Sequence, residues 1–130
     1  MSQHLRENAV TRLATVTGIN AKTVAITELY VVPTGKSLIV DRIVIRCTAF
    51  TVGAKSVQAV AAFGGNSATY DDYLNSVTYT IAAASVAITD SVLDTAVPVY
   101  AAATSFRIAI ETGSNATTET WAVDVFGYLV

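Results

Sequence analysis

Chemistry-bearing residues are scarce in this chain of 130 residues: one histidine, one cysteine, two prolines, and charged side chains at only 14% of positions. A serine or cysteine triad needs a base held beside its nucleophile, and the sole imidazole, His4, falls in a polar leading segment, which excludes those hydrolases. One imidazole also cannot supply the converging ligands of a cupin-type metal centre. A single cysteine, Cys47, allows neither an intrachain disulfide nor a thiolate cluster, and inside its apolar run it reads as a small core residue. Gly64-Gly65 stands in no GxxxxGK or GxGxxG pattern and reads as a turn. No catalytic residue, metal or cofactor is expected, and the chain is not read as an enzyme.

Charge is equally uninformative about polyanions. A net charge of −2 gives no field to hold phosphates, so no nucleic-acid partner is expected. No run of about eighteen apolar residues occurs, so no membrane span is expected either. The segment MSQHLREN lacks the apolar stretch of a secretory signal, which predicts a product made in a reducing cytosol. The charges are unevenly spread. Residues 1–60 hold seven cations against three carboxylates, a net +4, while residues 61–130 hold one cation against seven carboxylates, a net −6. Such polarity suits head-to-tail contact between subunits.

What is abundant is apolar: 52% of residues, mostly Ala, Val and Ile, which leaves a surface of Thr, Ser, Asn and Ala that is cheap to desolvate at an interface. The length suits one domain, with residues 1–9 as a flexible arm and 10–130 as the folded unit. Val10 to Val16 alternates as a first strand, followed by a turn at Gly18 and Asn20. Thr23 to Val32 is a β-branched run ending at the turn Pro33-Thr34-Gly35-Lys36. Ser37 to Phe50 is Ile/Val-rich enough for a long central strand covered on both faces, bent near Asp41-Arg42. Val57 to Phe63, then Val77 to Ile81, are further strands. Ala82 to Thr95 reads as two short strands, Val86 to Ile88 and Ser91 to Leu93, and Pro98 puts Val97 to Ala101 at an edge.

The last third is clearest. Phe106, Ile108 and Ile110 face one way and Ser105, Arg107, Ala109 and Glu111 the other, a half-buried strand. After Gly113-Ser114-Asn115, Thr120 to Val130 is a closing strand with Trp121, Val123, Val125 and Leu129 on one face. Its other face, Ala122, Asp124, Phe126, Tyr128 and Val130, is also mostly apolar, so the strand is either doubly buried or presents aromatic surface to a partner. Eight or nine short strands without an amphipathic helix predict an all-β fold, an antiparallel two-sheet β-sandwich of jelly-roll type. Arg6 and Arg12, with Trp121, Phe126 and Tyr128 from the closing strand, are the residues expected at an interface.

Weaker signals read as structure. Asp71-Asp72, Asp90 and Asp94 could in principle build a calcium or glycosidase site, but they lack EF-hand spacing and read as solvated loop acids. Asn115-Ala116-Thr117 matches a glycosylation sequon that a cytosolic product never presents to the transferase. Trp121, Tyr70, Tyr73, Tyr79 and Tyr100 could stack sugars; in a sandwich such aromatics are more often core or interface anchors.

The strand LYVVPTGKSLIVDRIVIR, Leu29 to Arg46, with the closing VFGYLV, Val125 to Val130, resembles small virion proteins of tailed bacteriophages, most closely the head decoration or cement class. The resemblance implies a jelly roll or related sandwich that forms a homotrimer. It implies a location on the outside of the capsid, against the major capsid protein, after synthesis in the host cytoplasm. It carries over no site residues and implies no small-molecule substrate. A carbohydrate-binding or adaptor module of a phage tail or tail fibre is the alternative. An arm such as Met1 to Ala9 would reach a neighbouring subunit.

Overall fold

The computed structural model describes residues 10–92 and 96–130. Among these there are eight strands and no helix: β1 (Thr11–Asn20), β2 (Ala25–Val31), β3 (Leu38–Thr51), β4 (Ala59–Gly64), β5 (Leu74–Tyr79), β6 (Ala87–Asp90), β7 (Ser105–Thr112) and β8 (Thr118–Leu129). One sheet has the order β1-β8-β3-β6, which we call sheet A, and the other β2-β7-β4-β5, sheet B. All pairings are antiparallel: β1 with β8, β2 with β7, β3 with β6 and β4 with β5 nest along the chain, and β3 with β8 and β4 with β7 complete the two sheets. This nesting, with consecutive pairs alternating between sheets, is a long ribbon rolled upon itself, the jelly roll expected from the sequence.

Alternation decides which side chains the roll encloses. Sheet A sends Leu38, Val40, Ile43, Ile45, Cys47, Trp121, Val123 and Val125 inward, and sheet B meets them with Ala59, Ala61, Phe63, Tyr79, Phe106, Ile108 and Ile110, all buried. Aromatic rings lock the layer edge to face, Phe63 on Tyr79 at 6.3 Å and Tyr79 on Trp121 at 5.9 Å between centroids. Cys47 is buried here, and burial pushes its thiol up.

Several local expectations change. β1 does not turn at Gly18 but runs on to Asn20; Gly18 takes φ +72°, which a residue without Cβ adopts freely, and the pairing with β8 shifts register between Val16 and Ile19. The irregularity is a bulge. β3 is not covered twice. Its inner face is buried, but Ile39, Arg42, Val44 and Arg46 on the outer face are half-exposed, since no second layer of the described residues lies there. The expected bend appears as a register shift between Val40 and Arg42. Between 82 and 92 there is one short strand, β6, and Ser91 and Val92 lie in none; Leu93 falls outside the described residues. Tyr100 makes an isolated bridge to Leu38, at the edge where Pro98 put this segment.

A loop cation and a strand carboxylate are buried together. Lys55, between β3 and β4, reaches inward so that its Nζ donates to Glu119 Oε1 at 3.0 Å and to the Ile81 carbonyl at 2.7 Å, over the Phe50 ring. Trp121 Nε1 donates to the second oxygen, Glu119 Oε2, at 2.9 Å. The two side chains are 4% and 0% exposed, so neither charge can be left without the other. Lys55→Met or Glu119→Gln alone is expected to cost about 3–5 kcal/mol in urea unfolding. The double variant should cost clearly less than the sum of the two, a coupling that a double-mutant cycle reads directly.

Candidate interface on the outer face of sheet A

Because β8 lies between β1 and β3, residues paired across it share one outward face. Phe126 pairs with Arg12 on one side and Arg42 on the other, and Tyr128 pairs with Ile39. The Arg42 guanidinium stacks on the Phe126 ring at 4.2 Å, with a carboxylate neighbour in Asp41 at 2.9 Å. Further along the strand Asp124 is buried on this face. It accepts from Thr15 Oγ1 at 2.7 Å, Arg46 Nε at 2.9 Å and a second Arg46 nitrogen at 3.1 Å. Burial pushes the Asp124 carboxyl up, but the Arg46 and Thr15 hydrogen bonds, with the Arg46 and Arg12 charges, outweigh it and hold the carboxyl below its ordinary range.

Of the residues expected at an interface, Arg12, Phe126 and Tyr128 are thus brought together, with Phe126 and Tyr128 half-buried and Arg12 exposed. Trp121 is corrected. It points to the opposite side of β8, is 0% exposed and is spent on the core and Glu119, leaving no surface for a partner. Arg6, His4 and the whole proposed arm lie outside the described residues. Arg42 was missed by sequence reading, although its place beside Phe126 follows once β3 and β8 are paired.

Part of the charge asymmetry between the chain's halves is met within the chain. Arg46 pairs with Asp124, Lys55 with Glu119 and Arg107 with Glu28, the last at 3.5 Å, so the two halves meet within one chain. Head-to-tail contact between subunits is not needed to satisfy them.

Other signals dissolve into structure. Among the described residues no three His, Cys, Asp or Glu side chains converge as a metal site. Asp71 accepts from Asn66 and Thr69, Asp72 from Gly65 N and the Tyr100 hydroxyl, and Asp90 from the Tyr79 hydroxyl, while Asp94 lies outside the described residues. Of the aromatics considered as a sugar platform, Trp121, Tyr73, Tyr79 and Tyr100 are buried, and Tyr70 lies under Arg107. On the outside of sheet B, Val24, Ile26, Ala68, Thr69 and Ala109 line an apolar groove of about 480 Å³ with Glu111 at its margin.

The described residues define a jelly-roll sandwich. No protein-family model matches the chain, and no curated protein matches it by sequence. Among solved structures it is similar to a chain of the cyanophage Pam1 capsid asymmetric unit, with a TM-score of 0.56 and 14% identity over 95% of this chain and 87% of that one. At that identity the likeness is one of fold.

The Asp124 cluster carries a pH signature. With its folded pKa depressed, the carboxylate contributes stability that is present above its unfolded pKa and lost as pH falls through the folded value. Asp124→Asn is expected to cost about 1–3 kcal/mol at neutral pH. Acid unfolding curves of the two proteins should converge as Asp124 protonates; a gap that stays constant into strong acid contradicts the assignment.

Proposed function

We propose that this chain is a structural protein of a tailed-phage virion that decorates the head, bound as a homotrimer to the outer surface of the major capsid protein shell. The observation that carries the reading is the likeness in fold to a cyanophage capsid chain over nearly the whole of both chains. Among the described residues no three His, Cys, Asp or Glu side chains converge as a metal site, which is compatible with it. So is the resemblance of Leu29–Arg46 and Val125–Val130 to the decoration class. Such a protein acts by burying area across seams between shell subunits, so that parting the subunits must also break its contacts.

The outer face of sheet A is the surface proposed to meet the shell. Its centre is a half-buried aromatic pair, Phe126 and Tyr128, and its margin is the exposed Arg12 and the half-exposed Arg42. That is the composition of an interface: aromatic and arginine anchors in a patch with few lysines. Arginines at the rim steer association and make it sensitive to salt.

The test uses heads purified from the phage that encodes this chain, grown without its gene. The protein is expected to saturate them at a fixed ratio to capsid subunits, with binding weakened by salt and by Arg12→Glu with Arg42→Glu roughly tenfold or more. Failure to bind heads, or recovery of the protein on the tail with affinity for glycans, overturns the reading.

A further inference from the structure

One end of the roll differs from the rest of the surface. Four loops meet there, 21–24, 52–58, 80–86 and 113–117, and none contains a carboxylate. Val24, Val52 and Val57 stand 66%, 56% and 41% exposed, with Ala54, Ala82, Ala83 and Ala84 exposed beside them. The two cations in these loops are engaged: Lys55 is buried on Glu119, and Lys22 Nζ donates to the Thr117 carbonyl at 3.0 Å.

The loops are also fastened to one another. Asn115 Oδ1 accepts from the Ser56 and Val57 amides at 2.8 and 2.9 Å, while its Nδ2 donates to Ser56 Oγ at 3.0 Å. Ser114 N donates to the Ala21 carbonyl and Thr117 N to the Thr51 carbonyl, both at 2.9 Å. Gly113 passes so close to the Lys22 carbonyl that a Cβ there would collide with it. Below, Lys55 ties its loop to Ile81 and to β8. Valines carried on loops held this firmly lose little entropy on binding, so this apolar surface is preorganised.

We propose that this rim is where copies of the chain associate about a rotation axis. Near such an axis identical residues crowd together, and like charges there cost several kcal/mol. A charge-poor patch can sit at the axis without that cost. The other surfaces fail that condition: Arg12 and Arg42 lie on the outside of sheet A, Glu28 and Glu111 on the outside of sheet B, and Lys36, Asp71 and Asp72 at the opposite end. Lone exposed apolar residues need no explanation, but a set carried on four loops without a carboxylate marks an interface, with Glu111 of β7 at its border beside Val24. The assignment rests on the oligomeric reading above and gives it a location.

Light scattering on the isolated full chain tests it, with Val52→Asp and Ala83→Asp placed in two separate loops and Val99→Asp, 61% exposed at the opposite end, as control. The wild-type protein and the control should be oligomeric. Both rim variants should keep the wild-type circular dichroism and associate about tenfold or more weakly. A monomeric wild type, oligomers unaffected by both rim variants, or equal loss with Val99→Asp overturns the assignment. Head binding is scored separately, so an intact, rim-dependent oligomer that ignores heads refutes the decoration role and leaves the rim standing.

Discussion

β1 and β3 are not bonded to each other; both are bonded to β8, which arrives about seventy residues or more later in the chain. Sheet A therefore cannot form until β8 inserts between them. That insertion brings Trp121, Val123 and Val125 into the core, Glu119 onto Lys55 and Asp124 onto Arg46. The backbone ladder, the apolar layer and the two buried carboxylates of the described residues are thus supplied by one strand. Pairings so distant in sequence give up loop entropy before they return stability, which makes such folds slow to form and cooperative once formed.

The same strand links architecture to surface. Its inner residues fix the stacking of Tyr79 on Trp121, and its outer residues set Phe126 between Arg12 and Arg42. At its start, Glu119 draws Lys55 inward and holds the loop that carries Val52 and Val57. The outer face of sheet A and the four-loop rim are therefore not independent patches. Each depends on β8 being in register.

Much of the fold was legible because it is written in local periodicity. Phe106, Ile108 and Ile110 alternate cleanly and are all buried, and the Pro33 to Lys36 turn closes with Lys36 N donating to the Pro33 carbonyl at 3.2 Å. What stayed hidden depends on partners far away in sequence. Lys55 and Glu119 look like ordinary solvated charges until a fold brings them together across 64 residues. Trp121 and Tyr128 lie on the same closing strand, and only the sheet order tells which meets the core and which meets solvent. Gly18 signals a turn and a bulge equally well, since both need the same φ. On the candidate face, Arg12, Phe126 and Tyr128 were legible as residue types suited to contact, while Arg42 needed the β3–β8 pairing.

The account comes down to a sandwich that works by the surfaces its last strand organises. An electron cryomicroscopy reconstruction of heads carrying the protein tests this most directly. The account predicts jelly-roll density on the outside of the shell, with the β1-β8-β3-β6 sheet facing the capsid protein and the four-loop rims gathered at a symmetry axis. Density with that sheet turned to solvent, or none on the head, would contradict it.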